Sequence, residues 1–254
     1  MPLEIDTLGA ARFGATLART IDVSATPQQL NIKAAELGVQ MLSTRVNCGE
    51  LDRIHALEAD GHRLMDSLIY YTRSLRQPIV EGGKKTDLII RGATIEDASA
   101  AAGVARMAFK NYFGHFHSDP KLEKASADAA YVEWAETSFH RLSDTRPAFI
   151  AQLGERTVGF LTLQRNAPEE WEIILNAVAP DSQGQGIYGK LVTAAINHAA
   201  SQVDNKEDGR ILISTQLNNY AVQRVWTRQG FHIDHGLYTF HKWYDDAANP
   251  QGDL

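Results

Sequence analysis

The stretch WEIILNAVAPDSQGQGIYGKLVTAAINHAA, residues 171–200, constrains this chain more than any other. Its apolar alternation predicts a strand, and a turn signal containing Gly184, Gly186 and Gly189 then runs straight into a helix. Ile187, Leu191, Ala195 and Ala199 recur at four-residue spacing, so one face of that helix has to be buried. Strand, glycine turn and helix in this order make consecutive backbone N–H groups converge at a helix N-terminus. Those amides have no partners within the helix, the helix dipole adds partial positive charge, and glycine lets a phosphate approach the main chain. The flanking Gln183 and Gln185 add no charge, so the amides must supply most of the attraction.

The surroundings of the turn decide among its possible ligands. Upstream, LIIRGA (88–93) predicts a strand, TIEDASAAAGVARMAF (94–109) a Thr-capped helix, and KASADAAYVEWAETSFHRL (124–142) a second helix. Three strands follow, PAFIAQLG, RTVGFLTLQR and WEIILNAVA, with Gly154 at the first hairpin, so an antiparallel meander precedes the glycine turn. Downstream come the strand RILISTQL (210–217), the Asn-capped helix NNYAVQRVWTRQGF (218–231) and a last strand, HIDHGLYTFHKWY. GQGIYG spells the G-x-G-x-x-G of a dinucleotide fingerprint, but it follows a meander, and no acidic residue ends a strand about 20 residues on. A Walker loop needs Ser or Thr after Gly-Lys, and Leu191 stands there. The pyrophosphate arm of coenzyme A is a third reading, and a glycine-rich turn that holds no ligand stays open beside it.

Towards the N-terminus, residues 41–75 can be laid on residues 211–244: a strand with Ser-Thr, then Asn, then an Arg-bearing helix closing on Gly61 or Gly230, then a strand. The helix TPQQLNIKAAELG (26–38) stands where the glycine-led helix stands in the second copy, yet no glycine precedes it. The expected organisation is an N-terminal αβαβ half over 1–78, a linker over 79–87, a main domain over 88–246 and a tail over 247–254. The fold class is α/β, with a mixed (α+β) sheet.

VAPDSQGQGIYGKLV resembles motif A of the GNAT superfamily of N-acetyltransferases: Gln or Arg, two residues, Gly, one residue, then Gly or Ala. Gln183 and Gly186 match, and Tyr188 departs at the last position. NNYAVQRVWTRQGF is similar to the superfamily's following motif, ending in Gly-Phe. The resemblance spans roughly residues 88–244 and makes the N-terminal unit a degenerate half-GNAT; within the superfamily the chain is most similar to the dTDP-fucosamine acetyltransferase branch. It implies transfer of an acetyl group from acetyl-CoA, as cosubstrate, to a small polar amine, with a nucleotide-linked amino sugar as the narrower acceptor. A non-catalytic CoA- or acyl-CoA-binding module is the alternative, and an NAD-dependent oxidoreductase would rest on the literal glycine pattern alone.

The same resemblance implies that the pyrophosphate meets the amides of Gln183, Gly184, Gln185, Gly186, Ile187, Tyr188 and Gly189. Backbone N–H at Ala177 or Val178 would polarise the thioester carbonyl, and Asn219 would cap its helix and reach the pantetheine arm. The amine attacks directly, so no protein nucleophile is needed. The superfamily often places a Tyr before Gly-Phe to protonate the thiolate; here Trp226 stands there, and an indole donates but cannot serve as a practical acid. For proton transfer the sequence offers His115 and His117 in NYFGHFHSDP, a residue type that can accept an amine proton directly or through water, and Tyr188. Tyr112 and Glu172 are lesser acceptor-side candidates, and no metal pattern accompanies the histidines.

A formal net charge of -6 argues against nucleic acid and anionic membranes as partners. No apolar run approaches the length of a membrane span, and the single cysteine, Cys48, fits a reducing compartment, so a cytoplasmic protein is expected. Monomer and homodimer both stay open, because HGLYTFHKWY could pair between chains or be covered by the N-terminal half.

Overall fold

The computed structural model describes residues 1–79, 87–110 and 112–244. Most of the expected linker and all of the expected tail lie outside these residues. In chain order the elements are β1 (Leu3–Ile5), α1 (Thr7–Phe13), β2 (Leu17–Thr20), α2 (Pro27–Leu37), β3 (Met41–Asn47), α3 (Leu51–Ala59) and β4 (Arg63–Ser74). They continue with β5 (Leu88–Gly92), α4 (Ala98–Ala108), α5 (His115–Ser118), α6 (Lys124–Phe139), β6 (Ala148–Leu153), β7 (Arg156–Ala167) and β8 (Glu170–Val178). The last are α7 (Ile187–Gln202), β9 (Arg210–Gln216), α8 (Tyr220–Arg228) and β10 (His232–Trp243). The fold is the mixed α/β class expected from the sequence.

The chain forms two compact units. One gathers Met1–Leu68, Phe113–Ser126 and the chain from His235; the other gathers Ile69–Tyr112 and Ala127–Asp234. This partition differs from a division at residues 79–87 because β10 returns to the N-terminal part, pairing antiparallel with β3 from Leu237↔Asn47 to Trp243↔Met41.

In the first unit β1 pairs antiparallel with β2, and β2 runs parallel to β3. Residues 1–20, which the hydrophobic pattern leaves unassigned, supply β1, α1 and β2. Asp6 caps α1 by accepting from Gly9 N at 2.9 Å, and the Thr26/Gln29 capping box with Pro27 at the first helical position starts α2. Leu30, Ala34, Leu42, Leu57 and Phe240 are buried together in its core.

In the second unit β5, β6, β7 and β8 form the antiparallel meander expected from the sequence, and β9 joins β8 in parallel. α4 starts at Ala98 rather than at the Thr94 cap, because Thr94 and Asp97 close a 3₁₀ turn first. The two hydrophobic clusters lie on opposite faces of the sheet: α7 and Trp226 of α8 join one, α4 and α6 the other. Gly159 lets α7 settle close to the sheet, since a Cβ there would lie 3.1 Å from Leu191 Cδ1 and 3.0 Å from the Ala177 carbonyl oxygen. Among the described residues no helix is long and apolar enough to cross a membrane.

Candidate active site

The cleft of the second unit begins with an insertion in β8. Its register with β7 runs Thr162↔Leu175 and then Leu163↔Ile173, so Ile174 is an extra residue, a β-bulge. The consequence is a switch of faces. Trp171 and Ile173 pack with the α7 cluster, whereas Leu175 and Ala177 pack with the α4 and α6 cluster. Thr162 Oγ1 closes the irregularity by accepting from Leu175 N at 3.0 Å and donating to Leu175 O at 3.2 Å.

Beyond the bulge β8 leaves β9. Their parallel register runs from Glu170↔Arg210 to Ile173↔Ile213, although β8 continues to Val178 and β9 to Gln216. An edge is thereby opened between two strands that pair at their other ends. Alternation fixes which amides face it. Ala179 N donates to Val158 O of β7, so Ala177, two residues back, also directs its N–H to β7. Asn176 and Val178 direct theirs to the open side. Of the two residues expected to polarise a carbonyl, Val178 directs its N–H to the open side and Ala177 to β7.

The glycine turn follows at the end of β8. Gly184 and Gly186 have φ of 76° and 78°, in the left-handed region, and a Cβ on either would meet nothing within 4 Å. Conformation, and not lack of space, is what requires glycine there. Gly186 is the N-cap of α7, which leaves the N–H groups of Ile187, Tyr188 and Gly189 at the open end, the amides expected to take an anion. Gln183 turns back, its Nε2 donating to Val178 O at 3.1 Å. Arg156 braces the lead-in by binding both Asp181 and Ser182. On the far side, Gln229 Nε2 donates to Gly189 O at 2.7 Å and to Thr193 Oγ1 at 3.0 Å, which fixes α8 against the first turn of α7.

Tyr188 and Trp226 meet. The Trp226 indole Nε1–H donates to Tyr188 Oη at 2.7 Å, and Tyr71 packs edge-on to Trp226 at 5.3 Å. Burial, the dominant cause, pushes the Tyr188 hydroxyl above the ordinary tyrosine range, so it remains protonated at neutral pH. Trp226 thus both packs in the core and orients a hydroxyl. Asn219 departs from expectation: it stands at the N-cap of α8 but makes no capping bond, its Nδ2 donating instead to Thr215 Oγ1 at 3.0 Å. Tyr112 donates to Gln216, and Glu172 accepts from Asn166 at 2.9 Å.

His115 and His117 are in the first unit, on the four-residue helix α5, where the sequence reads as a loop. The structure brings His115 to His241 and Asp119, neither of which stands out in the sequence as a partner for it: His115 Nδ1 lies 2.9 Å from His241 Nε2, and His241 Nδ1 lies 2.7 Å from Asp119 Oδ2. Cys48 is near Gly236, and burial raises its thiol pKa, which opposes a thiolate role. No group of three or more His, Cys, Asp or Glu able to hold a metal occurs among the described residues.

Residues 109–231 match the Acetyltransferase (GNAT) family. The chain carries a GNAT acetyltransferase domain. Among curated proteins the chain is similar to the spore coat polysaccharide biosynthesis protein SpsD of Bacillus subtilis (strain 168), 25% identical over 148 residues. That match covers 58% of this chain and 48% of SpsD, so the chain spans about half the length of this relative. In fold it is similar to a GCN5-related N-acetyltransferase from Sphaerobacter thermophilus, with TM-score 0.63, 12% identity, and 95% and 76% of the two chains covered. A tandem GNAT protein from the clavulanic acid biosynthesis pathway gives TM-score 0.60 at 16% identity over 92% and 77%. At these identities the likeness speaks to fold.

Proposed function

We propose that the GNAT domain transfers the acetyl group of acetyl-CoA to the amine of a small polar acceptor, with a nucleotide-linked amino sugar as the acceptor class. The observation that carries this reading is the opening of β8 from β9 beyond Ile173↔Ile213, with the Val178 N–H on the open side and the α7 amides at its end. These residues fit the cosubstrate: the turn amides suit a pyrophosphate, and an outward N–H suits a thioester carbonyl. The amine nitrogen bonds to the acetyl carbon, the C–S bond breaks, and the oxyanion formed in between is stabilised by Val178 N–H. The amine proton leaves to water, and the Tyr188 hydroxyl relays a proton to the departing thiolate while taking one back from water, so that it ends protonated. Likeness to a polysaccharide biosynthesis protein supports a sugar acceptor. The acidic composition and single cysteine support a cytoplasmic location.

Purified protein mixed with acetyl-CoA and a panel of amines tests the reading through release of free thiol. Turnover with an amino-sugar nucleotide is expected; turnover only with unrelated amines would remove the acceptor class. A second reading, a CoA-binding module without turnover, is favoured by Trp226 at the position where the superfamily often has Tyr. Calorimetric CoA binding with no thiol release across the panel would select it.

A further inference from the structure

A recess of about 330 Å³ in the first unit, apart from the cleft just described, is lined by Asp6, Arg19, Ser43, Arg45, His115 and Phe116, with apolar neighbours from β2 and β3. Its chemistry is set by a buried chain of donors. The Asp119 carboxylate accepts from His241 Nδ1–H and from Trp243 Nε1–H at 2.9 Å, and both Asp119 and His241 are at most 2% exposed. With its Nδ1 hydrogen committed to Asp119, neutral His241 presents Nε2 as a lone pair, which accepts from His115 Nδ1–H. His115 is thereby fixed in the tautomer that leaves Nε2 as an acceptor, and it is the member of the chain that lines the recess. Burial, with the nearby Arg45 guanidinium, holds its pKa well below the ordinary histidine range, which keeps that lone pair available at neutral pH.

The charges around the recess are unequal. Arg19 is committed to Glu4 at 2.7 Å, and Asp6 uses one oxygen on the α1 cap. Arg45 has no ion-pair partner among the described residues. The recess therefore offers a free guanidinium for an anion, acceptors at His115 and Asp6 for O–H or N–H groups, and an aromatic ring at Phe116.

We propose that this recess is a second binding site, for a small anion that also carries hydroxyl donors, the chemistry of a sugar phosphate. Arg45 meets the phosphate, His115 Nε2 and Asp6 accept from the hydroxyls, and Phe116 lies against the apolar face of the ring. The size suits a ligand of this kind, at the small end of ligand pockets. The proposal does not depend on acetyl transfer in the other unit.

Calorimetric titration of the full chain with glucose 6-phosphate, and separately with glucose and with inorganic phosphate, tests it. Saturable binding of glucose 6-phosphate below about 1 mM is expected, at least about tenfold tighter than either fragment. Arg45→Gln, an exposed position that does not threaten folding, is expected to weaken it about tenfold, and His115→Phe by a similar factor. A phosphate could also meet the α7 amides, so Gly186→Ala is the control, and it is expected to bind glucose 6-phosphate like wild type. No saturable heat up to about 10 mM, or a loss confined to Gly186→Ala with Arg45→Gln unchanged, would overturn the proposal.

Discussion

Trp226 Nε1 donates a 2.7 Å hydrogen bond to the hydroxyl of Tyr188, joining the first turn of α7 to the last turn of α8. An indole can only donate, so the bond occupies a lone pair of the hydroxyl and leaves its own hydrogen to point elsewhere. Where the superfamily often has a tyrosine on the later helix, this chain has the hydroxyl on the earlier helix and its anchor on the later one. Because burial keeps Tyr188 protonated, it is suited to donate and unsuited to act as a base. Tyr188→Phe is expected to lower kcat for acetyl transfer by about ten- to a hundredfold while leaving KM for acetyl-CoA within about twofold. Trp226→Phe, which frees the hydroxyl without removing it, should fall between. Steady-state kinetics check this, and an unchanged kcat in Tyr188→Phe would assign the pair to packing.

Gly186→Ala should separate the turn from the chemistry. The native φ of 78° is costly for alanine, by about 1 kcal/mol, though space for the methyl is open. The turn is expected to relax away from the left-handed geometry and misalign the α7 amides. KM for acetyl-CoA should rise about tenfold with kcat nearly constant, read from thiol-release kinetics at varied acetyl-CoA.

Much of this cleft was legible in sequence because its signals are local. The strand, glycine turn and helix over 171–200 occur within one short run, and the apolar face Ile187, Leu191, Ala195 and Ala199 is buried as its spacing requires. The bulge was not read, although the consecutive Ile173, Ile174 and Leu175 interrupt the apolar alternation where the strand changes face. Without the bulge, the apolar pattern does not say which of the Ala177 and Val178 amides faces outward. Contacts between distant residues left no such trace: His115 and His241 are 126 residues apart, and Tyr188 and Trp226 are 38 apart. Residues 1–20 have elements too short for a period to show, and β2 takes its second partner from β3, later in the chain.

Stability should fall on mild acidification, and His62 is one cause. It is 3% exposed, and burial, the largest influence, lowers its pKa to about 4. In the unfolded chain a histidine titrates near 6.5, so between about pH 6.5 and 4 the unfolded state binds more protons than the folded one. The contribution is therefore complete above pH 6.5 and is lost as pH falls towards 4, amounting to roughly 3 kcal/mol. His115, held low for the same reason, adds in the same direction. His62 Nδ1 lies 3.4 Å from Asp60 Oδ2, and neither ring nitrogen has a well-formed hydrogen bond among the described residues, so His62→Leu gives up only this long contact at pH 7 and should flatten the acid limb. Urea denaturation at pH 7, 5.5 and 4 measures it; equal slopes in the two proteins would move the effect elsewhere.

Thr162→Val tests whether the bulge aims the Val178 amide. Thr162 is 5% exposed, and its hydroxyl satisfies both the N–H and the C=O of Leu175. Valine keeps the shape and removes the hydroxyl, leaving two buried backbone groups unpaired at a cost of about 1–3 kcal/mol. If Ile174 relaxes into the ladder in response, the residues after it reverse their faces, and the outward N–H groups of Asn176 and Val178 turn towards β7. The variant should therefore melt about 2–4 °C or more below wild type, bind CoA about fivefold more weakly and lose still more in kcat, since carbonyl polarisation acts on the transition state. Thr162→Ser, which retains the hydroxyl, should recover kcat more fully than stability. A Thr162→Val protein that melts lower yet turns over at the wild-type rate would show that the bulge stabilises β8 without aiming its amides.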